Sequence, residues 1–155
     1  MSVRLVTLSD LTAIAQLEIE LFGEHAYPYF VLRQYYDLHA SHFWVVEQEG
    51  RLCGYLLAGY DHFAKIMWIL ALAVSQDAQG RGYGQALIQS ALNVKPHQYR
   101  AHLTVDPNNE RAIALYQRMG FQLAELDNEY FGINEPRWVM SLNALESCSH
   151  SELQP

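Results

Sequence analysis

The stretch 66-IMWILALAVSQDAQGRGYGQALI-88 decides the fold of this chain. Its first nine residues, 66–74, form an apolar run that is too continuous for a half-exposed strand, which predicts a buried central strand. Glycine alternates with other residues over 80–84, and apolar residues then recur at helical spacing over about 82–93. The stretch therefore predicts a buried strand that is joined to a helix by a glycine-rich turn.

This turn has the properties of an anion site. Gly80, Gly82 and Gly84 remove side chains where the backbone bends, so a ligand can come close to the main chain. The free N–H groups at the start of the helix, together with the helix dipole, suit a pyrophosphate. The Lys-Ser/Thr pair of a nucleotide-triphosphate P-loop is missing, and the spacing G-x-G-x-G differs from the dinucleotide pattern G-x-G-x-x-G. A turn that binds nothing is the alternative, and Arg81 alone is more typical of a solvated surface charge.

Further strands and helices flank the central stretch. Alternating or apolar runs predict six more strands, and helical spacing predicts three more helices. The strands are 2–7, 42–48, 51–60, 100–106, 121–127 and 137–142, and the helices are 10–22, 30–38 and 107–119. This order of elements predicts a mixed α/β layer structure. We expect one domain over 1–143 and a polar, frayed tail over 144–155.

Local signals mark where several of these elements begin and end. Ser9 can cap the first helix, and Gly23 stands where that helix stops. Glu49-Gly50 is a hairpin turn signal between two strands. Pro107-Asn108 opens the last helix, and Gly120 occupies the position of a C-terminal helix glycine.

Composition and charge exclude several classes of protein. The 155 residues carry a net charge of −7 with only ten lysines and arginines, and no basic stripe suggests nucleic-acid binding. No apolar run approaches the roughly 20 residues needed to span a membrane, and the N-terminus lacks the pattern of a signal peptide. Cys53 and Cys148 lie far apart in different contexts, so we expect no disulfide and a cytoplasmic location. An acidic surface suits cationic partners such as amines.

Two motifs carry a resemblance to a known family. Gln79-Gly80-Arg81-Gly82-Tyr83-Gly84, which follows the strand LALAV, resembles the coenzyme A pyrophosphate motif of the GNAT family of N-acetyltransferases. The segment 103-LTVDPNNERAIALYQRMGF-121 resembles that family's next strand and helix, with its N-x-x-A-x-x-L-Y-x-x-x-G-F pattern. The chain is most similar to the RimI-like (ribosomal-protein-alanine N-acetyltransferase) branch, which acetylates protein N-terminal amines. AYP at 26–28 and NEYFG at 128–132 resemble the substrate loops of that branch.

The resemblance implies a fold, a reaction and a set of site residues. The fold is a mixed, mostly antiparallel sheet of about seven strands flanked by about four helices. The reaction is direct transfer of an acetyl group from acetyl-CoA to an amine in a ternary complex. The residues that match the family's cofactor-binding positions are Leu72, Ala73, Val74, Gln79, Gly80, Arg81, Gly82, Tyr83, Gly84, Gln85, Asn109 and Tyr116. In the family the strand segment usually carries a bulge, and its backbone holds the pantetheine arm and polarises the thioester carbonyl.

Asn109 and Tyr116 match residues that contact the cofactor arm and protonate the departing CoA thiolate. They are seven residues apart, so they share a helix face about 10 Å apart along the axis, which lets both reach one extended pantetheine. Asn109 is alternatively only a helix cap, although Asn108 can take that role. Tyr116 is alternatively an ordinary core tyrosine.

The general base departs from the family pattern. The RimI-like branch has a glutamate where this sequence has Thr104, and threonine is not a useful proton acceptor near pH 7. His102 and Asp106 flank Thr104 on the same strand face, and His102 has the more suitable unperturbed pKa, about 6.5. An ordinary, partly buried histidine is equally compatible with that position. Glu135 is a further candidate because it lies in the predicted substrate loop.

An aromatic mouth is predicted for the acceptor amine. Its residues are Tyr27, Tyr29, Tyr130 and Phe131, with Glu135 to pair with the incoming ammonium. Ordinary aromatic packing is the alternative for each of them. His39 and His42 lack a third ligand nearby, so we expect no metal site.

The sequence thus favours an N-acetyltransferase that acts on a protein or peptide N-terminal amine. A small amine such as a polyamine, an amino acid or an aminoglycoside is the alternative acceptor. A catalytically silent acyl-CoA-binding module is a third hypothesis, because the expected glutamate is missing. A homodimer is compatible with the sequence.

Overall fold

Seven strands form one sheet in the order β1-β2-β3-β4-β5-β7-β6. The computed structural model describes residues 1–145, and they contain seven strands and four α-helices. In chain order these are β1 Ser2–Leu5, α1 Leu11–Phe22, α2 Tyr29–His39, β2 Phe43–Gln48, β3 Arg51–Asp61, β4 Ile66–Val74, α3 Tyr83–Val94, β5 Arg100–Val105, α4 Glu110–Arg118, β6 Gln122–Asp127 and β7 Arg137–Leu142. Among the strands of residues 1–145, only β4 and β5 pair in parallel. The prediction of a mixed, mostly antiparallel sheet flanked by four helices is confirmed.

Apolar side chains on the two faces of the sheet form two separate cores. On one face α3 packs against the central strands through Leu87 and Ile88, which are fully buried together with Met67. On the other face α1 and α2 cover the sheet through residues such as Ile14 and Leu32. Because helices cover both of its faces, β4 reads in the sequence as a continuous apolar run.

The start of the first helix differs from the prediction. Ser9 lies within a 3-10 turn, Leu8–Asp10, and is not the cap. The carboxylate of Asp10 instead accepts the backbone N–H of Thr7 at 2.7 Å and is paired with Arg4 at 2.8 Å. Asp10 is the N-cap residue of α1 but makes no side-chain capping bond to that helix, since its oxygens are engaged by Thr7 and Arg4. The predicted end of the first helix at Gly23 is confirmed, since Gly23 has a positive φ of 53°.

The predicted turns are correct in two further places. Glu49 and Gly50 both have positive φ, 53° and 76°, as a tight hairpin turn with native strand twist requires. Gly120, with a φ of 98°, follows α4.

Strand β7 follows β6 in the chain but lies between β5 and β6 in the sheet, so β6 forms the edge of the sheet.

The division of the chain at residue 143 stays a prediction. Residues 146–155 of the predicted polar tail, including Cys148, lie outside the described part of the chain. Cys53 is a free, buried thiol in β3.

Two glycines of β3 provide a matched test of how tightly β4 is packed. A Cβ atom on Gly54 would lie 2.6 Å from the carbonyl oxygen of Ala73, whereas one on Gly59 would meet the flexible tip of Leu70 at 3.3 Å. We expect Gly54→Ala to lower the free energy of unfolding by about 1–3 kcal/mol, because backbone must move. Gly59→Ala should change it by less than about 1 kcal/mol. Urea unfolding of both variants measures this, and equal effects would contradict the close approach at Gly54.

Candidate active site

The pairing between β4 and β5 ends halfway along β4. It runs from Ile66 opposite Arg100 to Ile69 opposite Leu103, and among the described residues no strand pairs with the later part of β4 on that side. On the other side, the register with β3 shifts so that Leu70 is an extra residue. A bulge bends its strand and leaves backbone groups unpaired. The sheet therefore opens at Leu70, and the end of β4 exposes main-chain groups to this opening.

A cleft of about 610 Å³ lies at this opening, within the usual range for small-molecule sites. It lies between the end of β4, the glycine-rich turn and α4. Predicted cofactor residues in its lining are Leu72, Ala73, Val74, Gln79, Gly80, Gly82, Tyr83, Gly84, Gln85, Asn109 and Tyr116. The cleft thus brings together all of the predicted set except Arg81, whose side chain is exposed and outside the lining, and cofactor binding by these residues stays a prediction.

The turn is shaped by two residues in the left-handed region. Gly80 and Gly82 have φ of 79° and 84°, a conformation in which other residues are strained. Gly82 is the N-cap of α3, so the first N–H groups of that helix have no acceptor within the helix. The side chain of Gln79 donates to the carbonyl of Val74 at 3.0 Å and braces the turn against β4. The result is a concave row of main-chain donors at the positive end of a helix.

Arginines on α4 contribute the positive charge of this cleft. Arg111 and Arg118 both belong to the lining, and Arg111 donates to the side chain of Gln79 at 3.3 Å. A terminal nitrogen of Arg111 lies 3.1 Å from the Cβ position of Gly80. Both arginines were absent from the predicted site. Their seven-residue spacing, which places them on one face of α4, is the signal that could have found them.

Asn109 is the N-cap of α4, and its side-chain oxygen accepts the N–H of Ala112 at 3.1 Å. The suggestion that Asn108 could take the capping role is wrong. Asn108 instead donates its own backbone N–H to Asp106 at 2.9 Å, which delays the helix until Glu110. The side-chain oxygen of Asn109 is therefore already engaged, while the residue as a whole still lines the cleft.

Tyr116 combines a buried ring with a place in the cleft lining. Its ring packs edge-on against Phe121, with centroids 6.3 Å apart, and the residue is 9% exposed. Burial raises the pKa of Tyr116 to about 12. The phenol therefore carries its proton throughout the neutral range and can donate a hydrogen bond into the cleft.

The predicted acceptor residues lie outside the lining of this cleft. Tyr27 is half-buried, and its hydroxyl donates to the carbonyl of Leu70, the bulged residue, at 3.4 Å. Tyr29, Tyr130 and Phe131 are all exposed to nearly half of their maximum. Tyr130 and Phe131 are neighbours with ring centroids 5.9 Å apart.

Glu135 already has two basic neighbours. Its carboxylate lies 3.6 Å from Nε2 of His25 and 3.7 Å from the guanidinium of Arg137. That guanidinium stacks 4.0 Å over the ring of Phe131. The loop before α2 and the loop before β7 therefore meet at Glu135. Glu135 is therefore not a free carboxylate available to an incoming ammonium, because Arg137 already interacts with its negative charge.

His102 is not among the cleft residues. Both of its ring nitrogens are buried and have no hydrogen-bond partner in the described chain, and its ring packs edge-on against Trp68 at 4.9 Å. Burial, and to a smaller extent the charge of Arg100, lowers the pKa of His102. A neutral imidazole with sealed nitrogens is a poor proton acceptor for an amine in the cleft, which argues against the predicted role as base.

Within residues 1–145, no group of three or more His, Cys, Asp or Glu residues is arranged to hold a metal ion. None of the described helices has the length and apolar character needed to cross a membrane.

Comparison with known proteins shows the family. The sequence profile of the acetyltransferase (GNAT) family matches residues 10–121. An N-alpha-acetyltransferase of Sulfolobus acidocaldarius is 26% identical over 152 residues, with 90% of each chain covered. The N-alpha-acetyltransferase RimI of Mycobacterium tuberculosis is 27% identical over 134 residues, with 83% of each chain covered.

A solved structure shows the same fold. The crystal structure of the ribosomal-protein-S18-alanine N-acetyltransferase from Escherichia coli superimposes with a TM-score of 0.81 at 20% identity, and 96% of this chain and 97% of that one are covered. The opening between β4 and β5, the glycine-rich turn and the match to the family profile agree. The chain belongs to the acetyltransferase (GNAT) family, and it is an acyltransferase with relatives in the RimI-like branch.

Proposed function

We propose that this protein transfers the acetyl group of acetyl-CoA directly to the α-amine of a protein or peptide N-terminus. The observation that carries the proposal is the single cleft that joins three parts: the unpaired end of β4, the donor row at the turn, and Tyr116. The turn suits the diphosphate of an extended ligand, the end of β4 suits its thioester arm, and Tyr116 suits its leaving thiolate.

In the proposed complex, the diphosphate of CoA binds to the turn. The first N–H groups of α3 and the nearby guanidinium of Arg111 supply donors and positive charge there. The pantetheine arm extends along Leu72–Val74 and supplies the hydrogen-bond partners that β5 does not provide there. Contacts from Arg81, at the outer edge of the turn, stay a prediction.

The proposed reaction uses few protein groups. The amine nitrogen attacks the thioester carbonyl carbon, the C–N bond forms, and the C–S bond then breaks. A free thiol has a pKa near 8.5, well below that of Tyr116 at about 12. Tyr116 therefore acts as a hydrogen-bond donor to the sulfur as its charge develops, and the thiolate takes a proton from water as it leaves. The nitrogen loses its excess proton to water.

Two arguments support an α-amine as the acceptor, namely the pKa of the amine and the names of similar proteins. An α-amine has a pKa near 8 and is about one-tenth neutral at pH 7, whereas a lysine amine near 10.4 is almost fully protonated. A site without an evident base in its cleft therefore favours the α-amine. The two relatives described above are both named N-alpha-acetyltransferases, which supports the same choice. The cytoplasmic location and a homodimer stay predictions.

A panel assay tests the proposed function. Thiol release from acetyl-CoA is measured with N-terminal peptides, the same peptides with blocked α-amines and a free lysine, polyamines and aminoglycosides. We expect turnover only with free α-amines. Selective turnover of a polyamine, amino acid or aminoglycoside would establish a small-amine acetyltransferase instead, and CoA binding without any turnover would indicate a silent acyl-CoA-binding module.

Tyr116→Phe tests the donor at the thiolate. The ring and its packing on Phe121 are kept, so the Kd for acetyl-CoA should change little. Loss of the hydroxyl should lower kcat about 100-fold, the usual contribution of one hydrogen-bond donor to a developing negative charge. Steady-state kinetics and calorimetry measure the two quantities. A kcat within threefold of the wild type would exclude a role of this phenol in the transfer.

The pH dependence of the rate tests the absence of a histidine base. Because the free amine is the reactive form, kcat/KM for a peptide should rise with pH up to about 8, the pKa of the acceptor. His102→Gln should have a profile that parallels the wild type, since its sealed imidazole takes no proton. An additional limb below the pKa of the amine, present in the wild type and absent from His102→Gln, would restore His102 as the base.

A further inference from the structure

An ionisable side chain outside the cleft has an unusual environment. Glu18 lies on the inner face of α1 and is 2% exposed. Within residues 1–145 it forms no salt bridge. A buried carboxylate without a cation is costly, and a well-packed apolar residue is often the more stable choice. Stability alone therefore does not account for Glu18.

Two hydrogen bonds hold this carboxylate. The hydroxyl of Tyr55, fully buried in β3, donates to one oxygen, and the backbone N–H of Tyr27 donates to the other at 3.0 Å. Burial raises the pKa of Glu18, while these two donors oppose that change. Glu18 thus connects strand β3 of the sheet to the segment between α1 and α2.

Tyr27 extends this link to the strand that opens the cleft. Its hydroxyl donates to the carbonyl of Leu70, and its ring packs edge-on against Tyr35 with centroids 5.7 Å apart. Leu70 is the bulged residue at which β4 loses its pairing to β5. One continuous path therefore runs from Tyr55 through Glu18 and Tyr27 to the bulged backbone at which the cleft opens.

We propose that Glu18 is a positioning residue, which fixes the segment before α2 at the distance from β4 that the acceptor amine requires. The inference rests on the proposed function, because it concerns the acceptor side of that reaction. Glu18 itself touches neither acceptor nor cofactor, and it acts through the backbone of Tyr27. Its loss should therefore affect the acceptor and leave the cofactor cleft unchanged.

Kinetics of Glu18→Gln and of the control Glu20→Gln test this role. The glutamine keeps the shape but can accept only one of the two hydrogen bonds, whereas Glu20 is exposed on the same helix. We expect the peptide KM to rise about tenfold in Glu18→Gln, as for loss of one hydrogen bond to a charged group. The KM for acetyl-CoA and all constants of Glu20→Gln should stay within twofold. An unchanged peptide KM, or equal changes for both substrates, would overturn the proposal.

A double-mutant cycle with Tyr27→Phe separates positioning from general packing. If Glu18 acts through Tyr27, the effect of Glu18→Gln on the peptide KM should be several-fold smaller once the hydroxyl contact to Leu70 is gone. Independent, multiplicative effects would overturn the proposed path.

Amide hydrogen exchange provides a readout that needs no turnover. Exchange of the Tyr27 N–H should accelerate about tenfold in Glu18→Gln and also in Tyr55→Phe, which leaves the carboxylate in place. Exchange at core amides of β3 should stay the same. If the protein acetylated no peptide, the proposed function would fail while this measurement still decided whether Glu18 holds the segment. Unchanged exchange at Tyr27 in both variants would overturn the positioning role.

Discussion

The early end of the parallel pairing between β4 and β5 is the constraint on which the rest of the site depends. Buried backbone groups need partners, so a strand that loses one neighbour within the fold creates a place that a polar, extended ligand can complete. The extra residue Leu70 adds the bend that turns the strand end toward the opening. The turn and α4 then close the cleft, because both begin where these diverging strands end.

Features encoded within a few residues could be predicted from the sequence. The bounds of β4 are as predicted, since nine consecutive apolar residues have no other good explanation than burial on both faces. Glu49-Gly50 and the glycines of the cofactor turn are equally local, because a positive φ is a property of one residue. The cleft lining followed from the same motifs, since they occupy adjacent elements.

Features that depend on distant pairs could not be predicted. The contact from Tyr55 to Glu18 spans 37 residues, and the one from Arg111 to Gln79 spans 32. Neither leaves a periodic signal in the sequence. The motif therefore points to Arg81, which lies inside it but is exposed to solvent, and not to Arg111, which lies on another element and lines the cleft. The register shift at Leu70 is likewise a property of two strands and not of one.

In the proposed complex, the two substrates depend on different kinds of structure. Main-chain groups at the glycine turn hold the cofactor, and few side-chain changes can alter them. The proposed acceptor side depends on hydrogen bonds between side chains and one loop segment, with the carboxylate of Glu18 at their centre. Because backbone geometry is set by the fold and side-chain contacts by individual residues, acceptor preference can change within such a scaffold while the use of one acyl donor persists. Thr104, which replaces the expected glutamate, is compatible with this division, since it lies on the strand next to the opening and leaves the turn untouched.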